Sequence, residues 1–294
     1  MKILHSLPPY TLFGSAPKYE EAKIVILPVP YDSTASYKAG TRDGPHEIIS
    51  ASRVLEPYNE ELDIDINDIN IYTTEELEPD VNSPKAMANR IEKEVDVILQ
   101  DQKIPIVLGG DHAVSIGAVT SVAKFEKDFT YLHFDAHSDS RNEYSGSNYS
   151  HACVIARVNE ITEHYSVGIR SIQKEGMDFY KSILFRKDMH GLSLQEISEI
   201  IIKNTKDKIY LSVDFDVLDP SQMPSTGTPE PDGLSFYELK EILRMVLSKK
   251  QVIGMDFVEL SPIPGFIAPN VLAAKLIYFA IGYAFNKDLQ AQSE

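Results

Sequence analysis

Ile104-Pro105-Ile106-Val107-Leu108-Gly109-Gly110 is a short apolar run, rich in β-branched residues and closed by paired glycines. Its length and lack of polar alternation read as a strand buried on both faces. Working outward, Lys23–Val29, Ile104–Leu108, Thr130–Phe134, Tyr165–Ile169, Ile209–Val213 and Val252–Val258 form a set of predicted strands. Helices are predicted between them: Ser83 before Pro84 marks a start running to about Gln100, Ser235 opens another to about Ser248, and the last spans roughly Asn270–Phe285. Strand and helix alternating in this way predict an α/β fold, with parallel strands joined by right-handed crossovers and helices covering both faces of one sheet. The polar stretches between Glu56 and Pro84 and between Asp139 and Ser150 read as the longest irregular connections. Neither has the composition of an interdomain linker, and no repeat or low-complexity tract occurs, so residues 1–294 are expected to form a single domain.

Composition narrows the function classes. With 294 residues, 43% of them hydrophobic and 24% charged, the chain can bury a large core without a disulfide or structural metal. Twenty-eight basic against 44 acidic residues give a net charge of −16. That balance disfavours nucleic acid and anionic membrane as partners and suits a soluble surface. Cys153 is the single cysteine, so no intramolecular disulfide can form and a reducing compartment is expected. Met1 to Phe13 lacks the pattern of a secretory leader, and Asn270–Phe285 is shorter than a membrane span and carries Lys275. A cytoplasmic location is therefore predicted.

Three segments place acidic and imidazole groups at carboxyl ends of predicted strands: LGGDH (108–112), FDAHSD (134–139) and SVDFD (212–216). Ligands of open parallel sheets bind at that edge. Strand alternation would send Asp135, His137 and Asp139 to one side, and Asp214 with Asp216 likewise, while Gly109 and Gly110 permit a bend that brings in His112. One such Asp alone is usually a turn former, and one such His a packed core residue. Several carboxylates aimed at one volume would repel unless cations lay between them. Two divalent ions would supply +4 against −4 from Asp135, Asp139, Asp214 and Asp216, with His112 and His137 neutral. Carboxylate and imidazole ligands without sulfur suit Mn²⁺ ahead of Zn²⁺, Fe²⁺ or Co²⁺.

GGDH, DAHSD and SVDFDVLDP, in that order, resemble the three metal-binding motifs of the ureohydrolase family of arginases and agmatinases. The resemblance covers most of the chain: PYDSTASYKAGTRDGPHEI (30–48) is similar to the family's N-terminal segment, GIRS (168–171) to its middle strand, STGTPEPDGLS (225–235) to its loop before a late helix, and FVELSP (257–262) to its last strand end. It implies a three-layer α/β/α, arginase-like fold with a mainly parallel sheet of about eight strands. It also implies two Mn²⁺ ions per subunit, a homotrimeric or hexameric assembly, and a metal-bridging hydroxide that attacks a guanidinium carbon to give urea and an amine. Carried over by motif, His112, Asp135, Asp139 and Asp214 would hold one ion and Asp135, His137, Asp214 and Asp216 the other, with Asp135 and Asp214 shared. His151 matches the family's SHG histidine, a proton shuttle for the departing amine, although Ala152 stands in place of the glycine. Glu259 matches the glutamate that grips the guanidinium, and Asp139 would also accept a hydrogen bond from the nucleophile. His133 reads as a supporting or structural histidine, Asp219 as a turn residue and Cys153 as a packed side chain.

The substrate implied is a small cationic guanidine. Tyr149 stands two before His151 where arginases carry asparagine, and Gln173 three after Arg170 where they carry aspartate. GIRS and VELSP look instead like agmatinases, so agmatine, giving putrescine and urea, is the first reading. N1-aminopropylagmatine follows closely, with guanidinobutyrate and formimino amino acids further off and arginine less favoured. A non-enzyme alternative is a metal-dependent binding or regulatory protein, against which His151 and Glu259 speak.

Overall fold

The computed structural model describes residues 7–290. In chain order its main elements are β1 (Ile24–Val29), α1 (Gly44–Ser52), β2 (Tyr58–Asn59), β3 (Ile64–Asp65), β4 (Ile71–Thr73), α2 (Pro84–Gln100), β5 (Ile104–Gly109), α3 (Val114–Phe125), β6 (Thr130–Phe134) and α4 (Val154–Val158). They continue with β7 (Glu163–Ile169), β8 (Ile183–Phe185), α5 (Arg186–Met189), α6 (Leu194–Lys203), β9 (Lys208–Asp214), α7 (Phe236–Leu247), β10 (Gln251–Val258) and α8 (Ala268–Gln290). Among the described residues, eight strands form one sheet in the order β4-β1-β5-β10-β9-β6-β7-β8. Each neighbouring pair is parallel.

Side chains leaving the strands alternately build two apolar layers. Ile24, Ile26, Ile106, Leu108, Leu132, Phe134, Leu211, Val213 and Phe257 face one way and pack with residues of α1, α6, α7 and α8. Val25, Leu27, Val107, Tyr131 and Tyr210 face the other way and meet α2, α3 and α4. This is the α/β/α arrangement expected from the sequence. Helix starts follow their local chemistry: Ser83 Oγ accepts from the Ala86 amide at 3.1 Å with Pro84 in the first helical position. Ser235 and Glu238 close a reciprocal capping box on α7.

The predicted irregular stretch from Glu56 to Pro84 is corrected: it holds the β2–β3 hairpin and the edge strand β4. β4 and β8 have three residues each, too few to show a period, and take their place by pairing with β1 and β7. The last helix is also longer than expected. Ala268–Asn286 has 19 residues and a mean hydropathy of 1.3, enough to cross a membrane by length and composition, but 72% of that window is buried inside the protein. Its residues Ile277, Tyr278 and Ile281 belong to the apolar layer beneath the sheet.

Candidate metal centre and active site

The three motifs leave the central strands β5, β9 and β6, with β10 lying between β5 and β9. After β5 the chain packs against the backbone of Tyr31, where the Gly110 and Asp111 amides donate to the Val29 and Tyr31 carbonyls at 3.0 and 2.7 Å. A Cβ on Gly110 would lie 2.0 Å from the Tyr31 carbonyl oxygen, so only glycine permits this turn. It carries His112 to complete burial.

The other two motifs converge for a different reason from strand alternation, which corrects the expectation. β6 ends at Phe134, and Asp135, His137 and Asp139 follow it in a loop tied to the end of β7, the Asp135 amide to the Val167 carbonyl at 3.1 Å and the Ser138 amide to the Ser171 carbonyl at 3.0 Å. Asp139 adopts a left-handed backbone, φ 44°, strain that non-glycine residues keep where a site requires it. Asp214 is the last residue of β9 and Asp216 lies in the single 3-10 turn Phe215–Val217, where Asp214 Oδ1 accepts from the Asp216 amide at 2.8 Å.

These turns bring the groups together. His112 Nδ1 stands 3.1 Å from Asp135 Oδ2, 3.3 Å from Asp139 Oδ2 and 3.3 Å from Asp214 Oδ2. His137 Nδ1 lies 2.8 Å from Asp216 Oδ2 and 3.6 Å from Asp135 Oδ1. Asp135 thus belongs to two clusters able to hold a metal ion, one with His112, His133 and Asp139, the other with His137 and Asp216. His133 reaches the first cluster already engaged, Nε2 on Asp135 at 2.8 Å and Nδ1 on Ser166 at 3.0 Å. It orients the carboxylate.

The electrostatics favour cations in this space. Burial pushes the Asp214 carboxyl well above its usual range, and the charges of Asp216 and Asp135 push it further. Burial also raises Asp135, but His133, His112 and His137 overcome it and hold that carboxyl well below the usual range. His112 Nδ1 is buried and makes no hydrogen bond despite its ring of oxygens. On the far side of the ring, Ser212 Oγ donates to Asp256 Oδ1 at 2.5 Å and stands 3.0 Å from His112 Nε2. Ser212 therefore accepts from Nε2–H, so that the neutral form of the ring carries its lone pair on Nδ1, facing the carboxylates. A neutral imidazole lone pair beside converging carboxylates is a donor set that fits divalent cations.

A cavity of about 280 Å³ opens over the cluster, lined by His137, Asp139, Asp214, Asp216, His151 and Glu259 among others. Glu259 directly follows β10 with φ 67°. Its Oε1 accepts from the His112 amide at 2.8 Å, while its own amide donates to the Gly110 carbonyl at 2.8 Å. Burial, with Asp111 nearby, raises its carboxyl well above the ordinary value; a positive charge placed beside it would favour the ionised form. His151 opens the turn before α4, with Nδ1 3.2 Å from Thr34 Oγ1 and 3.2 Å from Ser150 Oγ. The loops after Asp139 and Arg170 contribute Arg141, Tyr144, Ser171, Ile172 and Gln173 to the wall.

Asp219 is a turn former, accepting from the Ser221 and Gly233 amides at 3.0 Å each, and Cys153 is buried. In the sequence Arg170 stands only as part of a strand motif. Its guanidinium donates to the carbonyls of Asp216 at 2.7 Å, Glu230 at 2.9 Å and Pro231 at 2.9 Å, clamping the Asp216 turn. Thr34 and Asp111 likewise lie within motifs of the sequence that by themselves assign them no role. An acidic residue beside a ligand-type histidine in a glycine turn was the available signal.

Residues 22–282 match the arginase family. Over 282 residues the chain is 40% identical to the N(1)-aminopropylagmatine ureohydrolase of Thermus thermophilus, covering 93% of each. It is 35% identical to the agmatinase of Bacillus subtilis, covering 85% of this chain and 87% of that one. The crystal structure of agmatine ureohydrolase of Thermoplasma volcanium superimposes with a TM-score of 0.87 at 32% identity, covering 97% of both chains.

Proposed function

Because the chain belongs to the arginase family, we propose that it is a ureohydrolase releasing urea from an agmatine-type amine, N1-aminopropylagmatine ahead of agmatine itself. The name of the Thermus thermophilus relative, at 40% identity, supports the longer substrate; the Bacillus subtilis relative, at 35%, supports agmatine. The observation that carries the reading is Glu259 facing the same cavity as the His and Asp cluster. That pairs a guanidinium-binding carboxylate with a metal-binding floor.

His112, Asp135, Asp139 and Asp214 would hold one divalent ion and Asp135, His137, Asp214 and Asp216 the other, with Mn²⁺ best suited to these oxygen and nitrogen donors. Bound there, the ions would offset the carboxylate charge and lower the pKa of water. Glu259 accepts the guanidinium in a charge-assisted pair and fixes its carbon above the cluster. Asp139 accepts a hydrogen bond from the attacking water. His151, across the cavity wall, gives a proton to the leaving nitrogen so that the amine departs neutral. We read residues 1–294 as one catalytic domain of a cytoplasmic homo-oligomer, trimer or hexamer, that engages neither nucleic acid nor membrane, in keeping with a net charge of −16.

Urea release from N1-aminopropylagmatine, agmatine, arginine and guanidinobutyrate tests the proposal. We expect kcat/KM for N1-aminopropylagmatine to exceed that for agmatine by about tenfold, a difference of about 1.4 kcal/mol. A higher value for agmatine would overturn the preference, and no urea from any of the four would overturn the activity.

A further inference from the structure

Thr34 Oγ1 lies between a buried carboxylate and the histidine of the cavity wall. It donates to Asp111 Oδ2 at 2.9 Å, and the Thr34 amide donates to the same oxygen at 2.9 Å. On its other side it accepts from the His151 amide at 2.9 Å and stands 3.2 Å from His151 Nδ1. Asp111 is fully buried, and its second oxygen is occupied by the Ala113 amide at 3.1 Å.

A hydroxyl has one hydrogen to give. Since that hydrogen goes to Asp111, Thr34 can meet His151 Nδ1 only as an acceptor. An unprotonated Nδ1 could accept from Ser150 Oγ at 3.2 Å but would set its lone pair against that of Thr34, whereas Nδ1–H meets both oxygens as acceptors. The tautomer that satisfies both contacts of the neutral ring carries its hydrogen on Nδ1, and its other nitrogen, Nε2, then keeps a lone pair for the cavity that His151 lines. The Tyr144 ring packs edge-on against the imidazole, with centroids 5.6 Å apart at 84°, and restrains its tilt.

We propose that Thr34 and Asp111 are positioning residues for His151, which through a hydroxyl bridge fix its tautomer and hold Nε2 toward the substrate. When Nε2 takes up the proton destined for the leaving amine, the Asp111 carboxylate stabilises the charged ring through the same bridge. This deepens the proposed function and rests on His151 being the group that protonates the leaving nitrogen.

The test is a double-mutant cycle on the metal-loaded full chain with N1-aminopropylagmatine, reading kcat, KM and metal content. His151→Asn is expected to lower kcat about a hundredfold. Thr34→Val should lower kcat about tenfold while KM stays within about twofold and metal content is unchanged. Thr34→Ser should restore the wild-type rate. In the His151→Asn background Thr34→Val should cost nothing more, because it acts only through the ring. Thr34→Ala, which removes the hydroxyl without adding a methyl, should reproduce the Thr34→Val loss should the latter fold poorly. An undiminished effect of Thr34→Val in the His151→Asn background, or wild-type kcat in both hydroxyl-free variants, would overturn the positioning role. Wild-type kcat in His151→Asn would instead overturn the assignment of His151 on which it stands.

Discussion

The backbone amide of His112 donates to Glu259 Oε1 at 2.8 Å, joining the turn after β5 to the turn after β10. The group proposed to bind a cation and the group proposed to bind the guanidinium are thus set at a fixed separation by one hydrogen bond between adjacent strands. Glu259→Gln keeps an oxygen to accept that bond but loses the anion. It is expected to fold and to bind metal normally while losing about 2–5 kcal/mol in kcat/KM for a guanidine substrate. Parallel measurement of metal content and kinetics checks this.

Asp216 Oδ2 faces His137 Nδ1 at 2.8 Å and its Oδ1 accepts from the Ala136 amide at 3.0 Å. Asp216→Ala should lower metal occupancy and urea formation together, whereas His151→Asn should spare occupancy. Elemental analysis of both purified variants distinguishes them. Undiminished metal occupancy in Asp216→Ala would refute its place as a ligand, and full activity with depleted metal would refute the metal's part in turnover.

His164 is buried and its Nδ1 donates to Asn159 Oδ1 at 2.8 Å. Burial, assisted by the charge of His133, lowers its pKa to about 3 from an ordinary 6.5. The unfolded chain therefore takes a proton that the native ring refuses. Stability from this site is complete above about pH 6.5 and is lost as pH falls from there toward about 3, by up to about 1.4 kcal/mol per pH unit. Thermal unfolding midpoints at pH values across that window should fall less steeply in His164→Gln than in the wild type.

Gly110 faces the Tyr31 carbonyl so closely that a Cβ would lie 2.0 Å from its oxygen. Gly110→Ala should cost about 3 kcal/mol or more of stability, because backbone rather than a flexible side chain must give way. Chemical denaturation of the metal-free protein measures the loss without interference from metal binding.

The central strands were legible because apolar runs such as Thr130–Phe134 are buried along their whole length, and α2 because Ser83 and Pro84 together encode its start. α3 was not, since every residue from Val114 to Val119 is buried, so its sequence shows no amphipathic period. The members of the site were readable from their motifs, but not how they meet. Alternation could not announce that β6 stops at Phe134 or that Asp139 turns left-handed, because an aspartate, unlike a glycine, carries no mark of that conformation. Thr34 and Asp111 stayed hidden because their pairing joins positions 77 residues apart. Only the packing of the Tyr31 segment against Gly110 brings them together.

The most direct measurement is urea release by the purified protein from N1-aminopropylagmatine before chelation, after exhaustive chelation, and after restoring Mn²⁺, with bound metal counted at each stage. Activity should vanish as metal is stripped and return as about two ions per chain are regained. Full turnover by metal-free protein would contradict a role for His112, Asp135, His137, Asp139, Asp214 and Asp216 as the ligands of a catalytic metal pair.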